Sequence, residues 1–579
     1  MDLLKKLNYI FARKQKIQLA ILFVIIIGGA LWELLGITAI MPFVNVAMEP
    51  ESIFESEMLS FWYYFFDITS PNMFLAFLAG VLILIYVIKN LYLTAMNYGI
   101  YRFSYNNQKR ISEKLLGSYL KQPYTFFLQK NSAELIRNIS EDVSMLMDTV
   151  LSAMQLVVEF LVCGLLLIYL LFMDKTITLV VGTVLVLFLF LIMRTIKKNI
   201  RKRGQNVREA REGITKWLFQ TFGGIKETKV LEREEFFKNR YSEYSAKFAY
   251  NHGIYQTLSY IPKPAMETVC IASLLGVIAI KLLRGVDSEY FISTISIFAV
   301  AAFRLLPAFN RITGFMSRIM FNHYGVNSVY HDLKEVEELE KELKIRENVV
   351  EKLPFEKEIE IKNISFHYPN VDENVLDAVS LAIPKNKSVA FVGASGAGKT
   401  TLADIILSVL TPQEGAVLVD GENIEHNLKQ WHAKLGYIPQ TIYLIDDTIR
   451  NNIAYGIEEE EIDEERIWSV IKEAQLKEFV ESLEDGLDTY IGEGGVRLSG
   501  GQRQRIGIAR ALYGDPEILI LDEATSALDT DTETAVMDAI NSLAGKKTLI
   551  IIAHRLSTIE NCDIVYEIKG HEVVKKREK

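Results

Sequence analysis

A glycine-rich stretch between an apolar run and a helical pattern carries the most specific chemistry in this sequence. The β-rich run Ser388–Val392 leads into Gly393-x4-Gly398-Lys399-Thr400. Glycines there let backbone N–H groups approach an anion, and the start of the following helix favours negative charge. The lysine is predicted to reach the β- and γ-phosphates of a nucleotide, and the threonine hydroxyl to bind Mg²⁺. The residues predicted to surround the phosphates are Gly393, Ala394, Ser395, Gly396, Ala397, Gly398, Lys399, Thr400 and Thr401.

A pair of carboxylates follows a second apolar run, in EILILDEATSALD at residues 517–529. The run predicts a buried strand that delivers Asp522 and Glu523 to its carboxyl end, where α/β sheets bind ligands. Asp522 is expected to hold Mg²⁺ through water. Glu523 is expected to orient or deprotonate the water that attacks the terminal phosphate. Paired acids at a surface are usually a solvated edge, but the apolar run favours a site here.

The stretch VRLSGGQRQRIGIARAL at residues 496–512 carries a family resemblance. Its segment LSGGQ is the signature of ATP-binding cassette (ABC) proteins, and the chain is identified as a member of that family. The resemblance implies that the signature binds the γ-phosphate of ATP held by a second cassette, again through a helix start. The residues concerned are Ser499, Gly500, Gly501 and Gln502.

Four further positions take their roles from the same resemblance. Tyr368 in SFHYP looks like the aromatic residue that stacks on adenine, and Gln440 in YIPQ resembles the glutamine that senses Mg²⁺ and the membrane domain. His554 in IIAHRLST looks like the histidine that touches the γ-phosphate, and Asp529 fits the loop that links the two sites. The implied catalytic residues are Glu523, Gln440 and His554, and the implied Mg²⁺ ligands are Thr400, Gln440 and Asp522.

Composition and charge divide the chain into two unlike halves. Half of its 579 residues are hydrophobic, and the mean hydropathy is +0.16. Residues 351–579 carry 24 Lys and Arg against 41 Asp and Glu, whereas the first 350 residues carry 39 against 31. This contrast predicts an apolar half with basic flanks and a soluble, acidic half. An acidic soluble half gives no support for nucleic-acid binding.

Apolar stretches of nearly bilayer-spanning length recur in the first half of the chain. Basic residues precede the first stretch and return at residues 194–203, whereas residues 42–88 contain no Lys or Arg. This distribution predicts a multi-pass protein whose N- and C-termini are both cytoplasmic. The six predicted spans lie at 17–47, 73–101, 145–173, 176–195, 256–281 and 290–316.

The predicted fold is a membrane α-helical domain of six transmembrane helices, followed by a C-terminal α/β P-loop nucleotide-binding domain. By resemblance, the membrane domain has the type IV exporter fold, and residues 121–143 and 222–237 look like the two coupling loops of ABC exporters. Because six spans and one cassette make half an exporter, the expected unit is a homodimer that couples ATP hydrolysis to transport, with ATP and Mg²⁺ as cofactors. The predicted boundaries are 1–325 for the membrane domain, 326–356 for a helical linker and 357–579 for the cassette.

Charged residues inside the predicted spans are the main indication of a cargo. Arg304 and Arg311 are seven residues apart, so both project from one helical face. They are expected roughly 21 and 31 Å from the outer face at about 1.5 Å per residue. Lys263, between two prolines, is a third cation in the inner half of the membrane. Snorkelling, pairing with Glu267 or Glu159, and packing in the subunit contact remain alternatives.

Three such cations, doubled in a dimer, would attract an anionic group, and arginine suits bidentate contact with phosphate. The local sequences TISIFAVAAFRLLPAFNRI and IPKPAMET are similar to those of bacterial lipid-linked oligosaccharide flippases. This resemblance implies ATP-driven flipping of a polyprenyl-diphosphate-linked oligosaccharide from the inner to the outer leaflet of the bacterial inner membrane, for protein glycosylation or surface polysaccharides. A general ABC exporter of lipids, drugs or peptides is the alternative. The aromatic stretch 60–70 predicts a short interfacial helix that either anchors the second span or contacts a lipid-like substrate.

Overall fold

A computed structural model describes residues 2–173, 175–283, 288–346, 353–369, 371, 373–522, 530–553 and 559–578. The chain divides into two compact units. The first contains Met1–Lys121 and Lys130–Glu338, and the second contains Gln122–Gln129 and Leu339–Lys579. The short segment that was predicted to begin the first coupling loop therefore groups with the cassette.

The N-terminal half is built from helices. They are α1 (Asp2–Ile10), α2 (Arg13–Thr38), α3 (Ile40–Met48), α4 (Ser52–Glu55), α5 (Glu57–Phe65), α6 (Pro71–Leu120), α7 (Tyr124–Gln129), α8 (Ser132–Arg137), α9 (Val143–Met173), α10 (Lys175–Gly223), α11 (Ile225–Val230), α12 (Glu234–Tyr260), α13 (Pro262–Leu283), α14 (Ser288–Phe321) and α15 (His323–Arg346). A π-helical turn, Asn138–Asp142, joins α8 to α9. The boundary predicted between the membrane domain and the linker, at residues 325 and 326, falls within α15.

The six predicted spans correspond to α2, α6, α9, α10, α13 and α14. In the described part of the chain, four segments are long and apolar enough to cross a membrane. These are Arg13–Gly36, Pro71–Leu120, Ser132–Phe172 and Thr178–Gly223. With 50 and 49 residues, α6 and α10 are about 75 Å long, more than twice the thickness of the hydrocarbon core. Both helices therefore continue well beyond a bilayer.

The first apolar stretch differs from the prediction of one continuous span over 17–47. The helix α2 ends at Thr38, and α3 begins two residues later at Ile40. Pro42 explains the break, because it has no N–H to donate to the carbonyl of Thr38 and its ring collides with that carbonyl in a continuous helix. The predicted helix in the aromatic stretch is present as α5.

The cassette has ten strands and seven α-helices among its described residues. The strands are β1 (Glu358–Phe366), β2 (Leu376–Pro384), β3 (Ser388–Val392), β4 (Glu414–Val419), β5 (Glu422–Asn423), β6 (Leu435–Ile438), β7 (Ile518–Asp522), β8 (Thr548–Ile552), β9 (Ile564–Lys569) and β10 (Glu572–Glu578). The helices are α16 (Lys399–Ile406), α17 (Leu428–Ala433), α18 (Ile449–Ile453), α19 (Glu464–Glu473), α20 (Lys477–Glu481), α21 (Gly500–Tyr513) and α22 (Thr530–Asn541).

Two sheets organise these elements. The smaller is antiparallel, with the order β2-β1-β4-β5, and the larger has the order β10-β9-β3-β8-β7-β6. In the larger sheet the strands from β9 to β6 are parallel. Its central strands are buried on both faces: Phe391 and Ile520 belong to one apolar core, and Ala390 and Leu521 to the other. Such strands need continuous apolar runs, which is why β3, β7 and β8 are recognisable in the sequence.

Candidate functional site

The phosphate-binding loop has the predicted order of strand, loop and helix, from β3 through residues 393–398 to α16. Gly393, Gly396 and Gly398 have φ values of 154°, 80° and 99°, which favour glycine. A Cβ on Gly393 would also lie 2.4 Å from the carbonyl oxygen of Ile568. Glycine is therefore required there both by the backbone conformation and by the close approach of β9. The loop leaves Ala394, Ser395 and Gly396 exposed.

The lysine and threonine side chains lie at the start of α16. The Lys399 ammonium donates to the carbonyl oxygens of Gly393, at 3.0 Å, and Ala394, at 2.9 Å, so it lies over the loop. Thr400 is exposed, whereas Thr401 is buried, with its hydroxyl 3.1 Å from the hydroxyl of Tyr368. The tyrosine predicted to stack on adenine thus lies beside the phosphate-binding helix.

Parallel strands bring other predicted site residues to the same edge of the sheet. Asp522 ends β7 and pairs in register with Ile552 of β8, which pairs with Phe391 of β3. The Asp522 side chain is buried, and Gln440 is exposed two residues after the end of β6. Carboxylate and hydroxyl oxygens are ligands that Mg²⁺ prefers, so Asp522 and Thr400 fit the predicted metal. Glu523, Asp529 and His554 lie outside the described residues.

The signature begins a 14-residue helix, α21, with a well-formed cap. The Ser499 hydroxyl accepts from the backbone N–H of Gln502, and the Gln502 side chain accepts from the backbone N–H of Ser499. Ser499 and Gly500 are exposed, whereas Gly501 is buried. The side-chain oxygen of Gln502 therefore supports the cap, and an exposed helix start remains in front of Ser499.

Asp404 is a second carboxylate near Asp522 that the sequence analysis missed. It lies in α16, four residues after Thr400 and hence on the same helical face. Burial, together with the charge of Asp522, raises the pKa of Asp404 to about 6. Burial and the same two carboxylates raise the pKa of Tyr437 to about 12. The four-residue spacing from Thr400 was the available sequence signal.

We expect Asp404→Asn to stabilise the cassette at neutral pH. Because the folded-state pKa lies above the ordinary value of about 4, the ionised carboxyl destabilises the fold above pH 6, and this effect fades as the pH falls through 6 toward 4. After allowance for partial exposure, the gain at pH 7.5 should be about 1 kcal/mol and should shrink markedly at pH 5. Thermal unfolding midpoints of the purified protein at both pH values measure it.

Asp420→Asn is the matched control with the opposite sign. Although burial opposes the effect, backbone N–H groups of Glu356, Glu358 and Lys357 lower the pKa of Asp420. This carboxylate stabilises the fold above its unfolded-state pKa, so its loss should lower the midpoint at pH 7.5. A lower midpoint for Asp404→Asn at that pH would contradict the assignment of a repelled, buried carboxylate.

In the membrane half, Arg311 forms a two-bond ion pair with Glu159 of α9. Its Nε lies 2.5 Å from Oε1 and its Nη2 lies 3.0 Å from Oε2. The arginine side chain is 44% exposed, but that of Glu159 is only 12% exposed. The predicted alternative of carboxylate pairing therefore applies to Arg311, whose side chain is still partly exposed. Arg304 lies two turns earlier in α14, and its side chain is outside the described part of the structure.

The third predicted cation, Lys263, is exposed at the start of α13, with its ammonium 6.0 Å from the ring centre of Tyr260. Glu267, one turn further on, is also exposed and makes no ion pair with any described residue. A second membrane ion pair escaped the sequence analysis: Lys89 of α6 lies 3.5 Å from Glu33 of α2, and both side chains are largely buried. A lone lysine in an apolar run was the signal for it.

An apolar cavity of about 480 Å³ lies beside α5. It is formed where α3, α5 and the first turns of α6 meet. Lining residues include Pro42, Phe43, Trp62, Phe66, Phe77 and Leu78. Aromatic side chains of α5 on the other side, such as Phe61, Tyr64 and Phe65, are exposed. The predicted aromatic segment thus has exposed aromatic side chains on one side and an apolar cavity on the other.

Comparisons with known proteins agree with this geometry. Residues 18–317 match the ABC transporter transmembrane region family, and residues 376–526 match the ABC transporter family. The chain is 32% identical to the ATP-dependent lipid A-core flippase of Aromatoleum aromaticum over 83% of its length and 78% of the relative's. The flippase of the same name from Pseudomonas aeruginosa is 31% identical over 80% of this chain and 75% of its own length.

Among solved structures, the chain is similar to a bacterial Atm1-family ABC exporter with ATP bound. The TM-score is 0.76 at 22% identity, and the similarity covers 96% of both chains. This likeness shows the type IV exporter fold. The chain therefore belongs to the ABC transporter family, as an exporter half-transporter that joins a transmembrane domain to an ATP-hydrolysing cassette.

Proposed function

We propose that this transporter uses ATP to flip a lipid-linked oligosaccharide, joined to its polyprenyl carrier by diphosphate, from the inner to the outer leaflet of a bacterial inner membrane. The observation that carries the proposal is the position of Arg311 within a membrane helix, with a side chain that is 44% exposed although it is paired with Glu159. The relatives named lipid A-core flippases support a lipid cargo.

A cation within a span is energetically unfavourable, so such residues usually face a partner, a cavity or a transport path. Arg311 uses Nε and Nη2 for Glu159. Since a guanidinium has five N–H donors in a planar fork, others remain for a phosphate. Lys263 on the neighbouring helix adds a compact charge, and Arg304 shares the helical face of Arg311. Diphosphate is the chemistry that this set of cations would bind best.

The cavity beside α5 supports a cargo with a long hydrocarbon chain. A recess lined by apolar and aromatic side chains offers few hydrogen-bond partners to the hydroxyl groups of a glycan but can take a segment of a polyprenyl chain. The basic flanks of the first span and the lack of basic residues at 42–88 support an orientation in which this end of the membrane domain faces outside and both termini lie in the cytoplasm. The lipid tail would therefore contact the protein near the outer leaflet.

Two copies of the chain would supply two composite ATP sites. In each, the loop amides and Lys399 of one copy would hold the phosphates, Tyr368 would stack on adenine, and Ser499 with the α21 helix start of the second copy would contact the γ-phosphate. Mg²⁺ bound by Thr400, Gln440 and Asp522 would neutralise phosphate charge. Glu523 would activate water, with His554 touching the γ-phosphate and Asp529 linking the sites. Closure of the cassettes would then rearrange the spans, and hydrolysis would reset them.

A panel of lipids in nanodiscs tests the proposed cargo through stimulation of ATP hydrolysis. A polyprenyl-diphosphate oligosaccharide should stimulate, whereas the same polyprenol without phosphate should not. Lipid A and an amphipathic cation complete the panel. Stimulation by the cation or by the phosphate-free polyprenol alone would support a general exporter and reject the diphosphate site. Stimulation by lipid A alone would keep the phosphate chemistry and reject the oligosaccharide carrier.

A further inference from the structure

The two membrane ion pairs differ in how far a ligand can reach them. Lys89 and Glu33 are both shielded, with side chains 7% and 15% exposed. Gly36 makes room for the lysine, because a Cβ there would lie 3.0 Å from the lysine Cδ. In contrast, the Arg311 side chain is 44% exposed, whereas that of its partner Glu159 is 12% exposed. The first pair is a packing feature between α2 and α6, and the second is open to a ligand.

Glu159 approaches its arginine from the buried side. The carboxylate takes the Nε–Nη2 edge, so the guanidinium keeps further N–H donors for a ligand. An anion that binds Arg311 would therefore enter a site where buried negative charge is already present, and the like charges would repel each other.

Resting on the function proposed above, we infer that Glu159 is a built-in counter-ion that sets the affinity of the cargo site. Without cargo it neutralises Arg311, so that the guanidinium is tolerated in the membrane. With cargo bound, its charge opposes that of the diphosphate and weakens binding. A transport site must bind strongly enough to load and weakly enough to release, and Glu159 provides the second condition.

The inference makes opposite predictions for affinity and for turnover. Glu159→Gln keeps the shape and a hydrogen-bond acceptor but removes the charge, so diphosphate should bind more tightly and leave more slowly. In the full-length homodimer in nanodiscs, the polyprenyl-diphosphate concentration that half-stimulates ATP hydrolysis should fall about tenfold. Maximal stimulated turnover should fall as well. A merely structural residue would lower turnover without tightening cargo binding.

Two further variants keep the test decisive. Glu159→Asp withdraws the carboxylate by one methylene, so it should shift the half-stimulating concentration in the same direction by a smaller factor, even if Glu159→Gln does not fold. Glu113→Gln makes the same chemical change at an exposed carboxylate of α6 that pairs with Lys109, and should leave that concentration unchanged. An unchanged or higher concentration for both Glu159 variants would overturn the inference.

Arg311→Gln separates this inference from the proposed function. If Arg311→Gln raises the half-stimulating concentration while the Glu159 variants do not lower it, the cargo site stands and the counter-ion role fails. If Arg311→Gln has no effect on stimulation by polyprenyl diphosphate, the proposed cargo site itself fails.

Discussion

Lys399→Ala should lower ATP hydrolysis by at least roughly a hundredfold, because it removes a preorganised positive charge from the phosphates in the transition state. The ammonium already lies over the loop, held by the carbonyls of Gly393 and Ala394. A steady-state phosphate-release assay on the purified protein measures the loss. Lys387→Ala is the matched control. This exposed lysine lies just before β3 and pairs with Asp563, so it should be dispensable for ATP hydrolysis. Equal losses for both lysines would contradict the assignment.

Mixing Lys399→Ala with Ser499→Ala subunits tests whether the ATP sites are shared between copies. Each variant alone should be inactive. A head-to-tail heterodimer would have one site with both lesions and one intact site, so random mixing should restore about a quarter of wild-type activity. No recovery after verified subunit exchange would count against composite sites.

Asp142→Asn should destabilise the membrane half by about 3–5 kcal/mol, because it leaves the largely shielded guanidinium of Arg208 without its carboxylate and takes one of its carboxylates from buried Arg137. Asp142 is fully buried, at 0% exposure, and accepts bonds from Arg208 at 2.8 to 3.2 Å. Arg137, also buried, lies 3.7 Å away and pairs with Glu212. Arg208 lies on α10 and also donates to Ser328 of α15. By fixing this arginine, Asp142 of the π-helical turn helps to hold α10 and α15 together. The midpoint of denaturant-induced unfolding in detergent measures the effect.

The adjacent residue provides the control for this network. Glu141 pairs with Arg211 at 3.4 Å, but both side chains are partly exposed. Glu141→Gln should therefore change stability by less than about 1 kcal/mol. If Asp142→Asn is as mild as Glu141→Gln, the buried cluster does not hold these helices together.

The cassette could be predicted in detail because its chemistry fixes residue types at short spacings. The left-handed glycines of the phosphate loop, the capped signature helix and Asp522 at the end of β7 are each encoded within about a dozen residues. Buried parallel strands add continuous apolar runs, which are easily recognised. The order of the strands, in which β8 separates β3 from β7, depends on long-range pairing and could not be read from local patterns.

The membrane half was predicted less completely, because its key contacts join distant parts of the chain. Arginine spacing indicated a face, but only the fold brings Glu159 and Arg311 together from 152 residues apart. The Lys89–Glu33 pair and the Asp142 cluster depend in the same way on helix packing. The break at Thr38 is different, because its local signal, Pro42, is present in the sequence. The long apolar stretch around it nevertheless favoured the prediction of one continuous span.

The most direct test of the central claim is ATP-driven flipping of a fluorescent polyprenyl-diphosphate oligosaccharide in proteoliposomes. Wild-type protein should move it to the other leaflet. Arg304→Gln combined with Arg311→Gln should reduce flipping at least roughly tenfold, because the cargo phosphates lose their bidentate partners. Unfolding midpoint and dimer assembly check that the variant is intact. Flipping at the wild-type rate by an intact double variant would contradict the claim that these arginines receive the cargo.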